Sequence, residues 1–234
     1  MKITRMAVFA ALLGSIGLQA EVPELEKLVP EAKGYELIVK FNPLRWRAEK
    51  YQVDRTKELS GDLQRIGYLV KLTAKDGAQS WVFASMDAFT KDPALLVVPT
   101  PKSEVFQQYV TNLEVAGNVE GVKTGRFEKG NIEIWGLNYG GGNAKKIPGA
   151  TNKFDFGDSV DNKGGYGSLQ VHNYLEKQTV FAFNNFNAGA NCDLGIGNNP
   201  DAKGHPDWTF SKAGSKYQSA EIYVVGKFAP AAGK

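Results

Sequence analysis

Aromatic and amide side chains crowd the second half of this chain: Trp135, Tyr139, Gln170, His172, Tyr174, Asn184, Asn185, Asn187 and Asn191. That combination suits a sugar. The C–H faces of a sugar ring stack on aromatic rings, while amides and an imidazole answer its hydroxyls as donors and acceptors. Trp135, Gln170, His172, Tyr174, Asn184 and Asn187 are therefore the candidate ligand-binding residues. The bland alternative packs Trp135 between sheets and uses the asparagines to bond their own turns. A second group is acidic. Asp155, Asp158 and Asp161 recur at every third position, with Asn152 and Asn162 nearby. An oxygen-rich loop can hold Ca²⁺, which takes six to eight oxygen ligands, but this spacing matches no tight calcium motif and solvated loop acids explain it as well.

Nucleophilic chemistry has one candidate. Phe156-Gly157-Asp158-Ser159 is similar to the nucleophile block of GDS-type (SGNH) esterases. Ser159 would need a histidine to take its proton and a carboxylate to orient that histidine. The block lies too late in the chain for a doubly wound domain to follow it. The Asp-x-x-His partner block is also missing, since the residue three before His205 is Ala202. A Gly/Asp turn accounts for the same residues. With 2 histidines and 1 cysteine, a Cys/His zinc site and an intrachain disulfide are both excluded. Cys192 reads as a small, semi-buried residue rather than a nucleophile. No catalytic residue is assigned, and the reading favours binding over catalysis.

Strands must position these groups. Tyr35 to Phe41, Arg65 to Thr73, Ser80 to Met86, Val105 to Asn118, Asn131 to Asn138 and Ala220 to Phe228 read as strands, with shorter ones at Tyr51 to Asp54 and Trp208 to Ser211. Asp76-Gly77, within Lys75-Asp76-Gly77-Ala78, marks a hairpin, because both residues can take positive φ. Between Gly164 and Gly197 two strands are expected, then an asparagine-rich loop. Leu169, Val171, Phe181 and Phe183 face the core there, and Gln170, His172 and Tyr174 face away. Trp135 falls on the parity opposite Ile132 and Ile134. Val105, Tyr109, Leu113 and Val115 share one parity in their strand. Residues 139–165 form a long segment without strand pattern, a length that usually marks function or an Ω-loop. The whole points to an all-β fold, a two-sheet β-sandwich of jelly-roll type.

Lys2 and Arg5 precede an apolar run, Met6 to Leu18, that ends at Ala20. This is the pattern of a signal peptide over residues 1–20, too short for a membrane span. A lead-in follows over 21–33, then a single β-sandwich domain over 34–228 and a flexible tail over 229–234. Export places the protein in the periplasm or outside a bacterial cell. Losing Lys2 and Arg5 lowers the formal net charge from +3 to +1. The remaining Lys and Arg are scattered, which argues against a nucleic-acid partner.

Several stretches together carry a resemblance: WVFASMDAFT (81–90), FQQYVTNLEVAGNVEGV (106–122), GNIEIWGLNYGGGNAKKIPGA (130–150), GYGSLQVHNY (165–174) and KQTVFAFNNFNAGANCDLGIGN (177–198). They resemble a β-rich domain of exported proteins from Planctomycetes and related bacteria, often carried by chains labelled sialate O-acetylesterase-like. The resemblance spans roughly Lys33 to Phe228 and implies an accessory domain in polysaccharide or glycan processing. It transfers no active site, because the esterase label belongs to a separate SGNH domain. The expectation is thus an exported, non-catalytic carbohydrate-binding domain with a polysaccharide or glycan partner, no required cofactor, and Ca²⁺ as the one candidate ion. The alternatives are an esterase using Ser159 and a structural or adhesive exported protein.

Overall fold

The computed structural model describes residues 22–45, 51–58, 61–91, 96, 106–135, 168–173, 175–184, 189–198 and 213–229; for Val22, Phe106, Gln107, Trp135 and Ser168 the description is of the backbone. The expected signal peptide, the tail beyond residue 229 and the strand read at Trp208 to Ser211 lie outside these residues.

Apolar alternation becomes strands in chain order: β1 (Glu36–Phe41), β2 (Val53–Asp54), β3 (Leu63–Ala74), β4 (Gln79–Asp87), β5 (Phe106–Gly117), β6 (Gly125–Trp135), β7 (Ser168–Asn173), β8 (Gln178–Asn184), β9 (Asp193–Ile196) and β10 (Tyr217–Phe228). Short helices α1 (Val22–Leu28) and α2 (Ala213–Lys216) flank them. The fold is all-β, but hydrogen bonds join the 10 strands in one antiparallel sheet, ordered β2-β1-β10-β3-β4-β5-β6-β7-β8-β9. From β3 to β9 each strand pairs with the next, and β10 returns to lie between β1 and β3. This replaces the expected two separate sheets of a jelly roll: nearest-neighbour pairing makes a meander. At the β3–β4 turn Gly77 (φ +89°) donates to Ala74 O at 2.9 Å, and Ala74 N–H donates to Ala78 O at 2.8 Å. The expected hairpin is present, and since Gly77 but not Asp76 is at positive φ, it is a three-residue loop ending in a glycine bulge.

The sheet nevertheless has two layers, because the β5–β6 hairpin bends. Val110 and Leu113 are three apart, yet both sit in the main core (2% and 0% exposed). β5 therefore reverses its facing between them, at Asn112 with φ +50°. Its partner does the same, for Phe127 and Gly130 both turn to Leu113. The single parity expected for Tyr109, Leu113 and Val115 fails at this corner. Beyond it Glu114–Gly117 pairs with β4, whereas Asn131–Trp135 pairs with β7. One hairpin thus belongs to both layers.

The main core lies between the layers. Tyr68 on β3 meets Phe181 on β8 with ring centroids 5.9 Å apart, and Phe41 on β1 meets Phe183 at 5.7 Å. Those strands are far apart in the sheet order, so their contact requires the sheet to fold back on itself. Leu169, Val171, Phe181 and Phe183 are all fully buried in this core, as expected. Cys192 closes the open ends, its Sγ lying 3.8 Å from Pro43 O. Burial and the neighbouring Asp193 push its thiol up to about 12, so it is an inert packing residue.

A second cluster covers the outer face of the β1–β10–β3–β4 layer. Leu25 and Val29 of the α1 segment, with Ala32, pack on Tyr35, Leu37, Leu69, Phe83, Tyr223 and Val225. The segment read as a lead-in is therefore part of the packed domain. An ion pair from Lys71 to Glu24 pins it, and beside it Lys40 of β1 pairs with Glu221 of β10 at 2.9 Å, with Lys40 also 4.8 Å from the Tyr223 ring centre. Near the corner Arg65 binds five groups: Tyr35 Oη (3.1 Å), Asp87 Oδ1 (3.0 Å), Ser85 Oγ (3.0 Å), Asn112 O (3.1 Å) and Glu114 Oε2 (3.7 Å). Only a planar guanidinium fork reaches all of these at once. Arg65→Lys is expected to cost about 1–3 kcal/mol in urea unfolding; full retention of stability would show that the fork geometry is dispensable.

Candidate functional site

Cross-strand register puts the residues singled out from the sequence on one face. Asn131, His172 and Thr179 form one row across β6, β7 and β8. Glu133, Gln170, Ala182 and Gly195 form the next, reaching β9. Trp135, Ser168, Asn184 and Asp193 form the third. This is the outward side of the β6–β9 layer, opposite the core-facing Ile132, Ile134, Leu169, Val171, Phe181 and Phe183. A bulge at Val180 keeps Thr179 opposite His172 while Phe181 stays opposite Val171. The Trp135 backbone is paired to Ser168 in the third of these rows.

Facing away from the core does not leave these residues exposed. Glu133, Gln170, His172 and Asn184 are 1%, 5%, 0% and 3% exposed. Alternation reports which residues share a face; it carries no information on whether that face is covered. Tyr174, Asn187 and the aspartates Asp155, Asp158 and Asp161 lie outside the described residues, as do Ser159 and His205. Among the described residues no group of 3 or more His, Cys, Asp or Glu could hold a metal ion. No described helix is long and apolar enough to cross a membrane.

A directional chain of hydrogen bonds organises the face. His172 Nε2 lies 3.0 Å from Gln170 Oε1, and Gln170 Nε2 donates to Asn184 Oδ1 at 3.0 Å. An amide oxygen only accepts, so His172 carries its proton on Nε2. Nδ1 is then the acceptor for Thr179 Oγ1–H, 3.2 Å away. Burial pushes the imidazole down to about 3, so it is neutral at ordinary pH. With both nitrogens engaged and no affinity for a proton near neutrality, His172 is a poor general base.

Two acceptors on the face stand apart. Asn131 Oδ1 and Asp193 Oδ1 are buried with no hydrogen-bond partner among the described residues. Burial raises the Asp193 carboxyl to about 6. Asn131 Nδ2 lies 3.4 Å from Glu133 Oε1. Glu133 and Asp193 sit on β6 and β9, three strand spacings or about 14 Å apart, too far for the two carboxylates of a glycosidase.

Asn131, Glu133, Thr179 and Asp193 belong to this face without having been singled out as site residues. The parity of Trp135 already carried Asn131 and Glu133 with it. Asp193 had no such signal, because β9 lies in the asparagine-rich stretch read as a loop. Other asparagines play the bland part: Asn118 Oδ1 accepts from Trp81 N–H at 2.7 Å, and Asn198 Oδ1 accepts from Thr179 N–H at 2.7 Å, each fixing a strand end. No family model, curated protein or solved structure matches the chain, so its function is read from its own residues.

Proposed function

We propose that this protein is an exported, non-catalytic β-domain that binds a polysaccharide or glycan on the outward face of the β6–β9 layer. The observation that supports this most is the pair of buried acceptors, Asn131 Oδ1 and Asp193 Oδ1, on a face otherwise built of amide, imidazole and hydroxyl groups. A hydroxyl-rich ligand supplies the donors they lack. They lie at opposite corners of the face, three strands and two rows apart, which suits an oligosaccharide better than a single sugar.

The test is retention on a glycan array by the parent protein and by two variants chosen to keep the fold. Asn131→Leu removes the unsatisfied acceptor together with the Nδ2 donor to Glu133 Oε1, so it is expected to cost about 1–3 kcal/mol, and its retention is compared at a temperature where circular dichroism shows it folded. Asp193→Asn removes a buried charge and should leave the domain at least as stable at pH 7.5. Each is expected to weaken glycan retention about tenfold. A parent protein that retains no glycan, or variants that retain it unchanged, would overturn the assignment.

A further inference from the structure

The other layer carries a concavity of its own. A groove of about 430 Å³ runs over the outer face of β4, β5 and the start of β6, walled on one side by Val29, Glu31 and Tyr35. That volume is within the usual range for small-molecule sites, about 300–1,000 Å³. Register explains its floor. Phe83 is paired with Ala116, and Ser85 with Glu114, which is paired in turn with Arg126. Trp81 stands one row further along β4, where Asn118 grips its backbone from both sides: Trp81 N–H donates to Asn118 Oδ1 at 2.7 Å, and Asn118 N–H donates to Trp81 O at 3.1 Å. Ala116 is the small residue that leaves the middle of the floor low.

The side chains are of two kinds. Tyr35 and Phe83 hold each other edge to face, 5.7 Å between centroids at 90°, and so are committed to packing. Trp81 is only half-buried: it packs against the outer cluster and also lines the groove. Glu114 is flanked by Arg126 Nε at 3.3 Å and by Arg65 Nη2 at 3.7 Å, and Glu31 stands opposite on the wall. Arg65 is shared with Asp87 and does not line the groove, so two acids face one guanidinium there, a balance that disfavours an anion. They do offer donors and acceptors in close alternation, next to an apolar ring held in a fixed place.

We infer that this groove is a second ligand site, which takes a neutral polyhydroxylated ring, a saccharide unit, against Trp81 with its hydroxyls on the Glu114–Arg126 pair. The site is on a different layer from the β6–β9 face and does not depend on it.

A panel of neutral di- and trisaccharides tests it, with tryptophan fluorescence and equilibrium dialysis as readouts. Ala116→Leu fills the floor at a partly exposed position, and Arg126→Ala alters a side chain that is 82% exposed; neither touches the main core. Trp81→Ala removes the ring. Affinity for the best panel member is expected to fall about tenfold in Trp81→Ala and Ala116→Leu, and about threefold in Arg126→Ala, while Asn131→Leu keeps the groove signal. Uronate-containing analogues are expected to bind more weakly than neutral ones. Unchanged affinity in both Trp81→Ala and Ala116→Leu would remove the groove as a site, and a strong preference for a charged analogue would overturn the ligand class. Loss of all binding in Asn131→Leu alone, with Trp81→Ala intact, would leave the β6–β9 reading standing and this one refuted.

Discussion

A Gly130→Val variant will lose about 3 kcal/mol or more of unfolding free energy, read as a lowered urea midpoint. The sign is opposite to the usual one, because valine normally improves a strand and glycine weakens it. At the bend of the β5–β6 hairpin no side chain fits. A Cβ on Gly130 would lie 2.6 Å from Leu113 Cδ2 and 2.8 Å from His172 O. The leucine can shift a little. The carbonyl belongs to β7 and cannot move without breaking the ladder that carries His172. Gly130→Ala should show the same effect at reduced size, about 1–3 kcal/mol. A neutral or stabilising Gly130→Ala would mean that β5 and β7 do not crowd β6 at this corner.

Acid will destabilise the domain through His172. The imidazole is held near 3 in the folded chain against 6.5 when free, so the unfolded chain takes up a proton that the folded chain refuses. The stability due to a neutral His172 is complete above pH 6.5 and is lost as pH falls from 6.5 toward 3, on the order of 5 kcal/mol in all. Asp193 works in the opposite direction. Its carboxyl is raised from 3.8 to about 6, so the folded chain takes the proton first, and stability rises as pH falls from 6 to 3.8, by roughly 2–3 kcal/mol. The two offset each other between pH 6 and 4. Urea midpoints from pH 7.5 to 4 should therefore fall more steeply in Asp193→Asn than in the parent, and less steeply in His172→Gln. An identical pH slope in His172→Gln and the parent would show that His172 is not the buried neutral group it is taken to be.

Much of the β6–β9 layer was legible in one dimension. Leu169, Val171, Phe181 and Phe183 alternate with polar residues, and a strand has a period of two, so their inward facing follows from spacing alone. The same logic placed Trp135 on the side of Gln170 and His172. It failed at Thr111–Leu113, where a left-handed Asn112 turns the strand over and the parity count restarts. It missed β9 because Asp193-Leu194-Gly195-Ile196 is short, and its neighbours read as turn residues. The groove residues were dispersed among three distant stretches, with Trp81 and Phe83 read only as strand positions.

The sequence by itself determined the all-β class, the strand alternation, the Gly77 hairpin and the unpaired Cys192. Each depends on residue type or on neighbours a few positions away. Tertiary structure alone decided that the strands share one folded sheet, that the polar face is buried, and that Tyr35, Trp81, Ala116 and Arg126 border one groove. Those outcomes come from contacts between segments distant in the chain, such as Tyr68 with Phe181, and local periodicity holds no record of which distant surface will cover a given face.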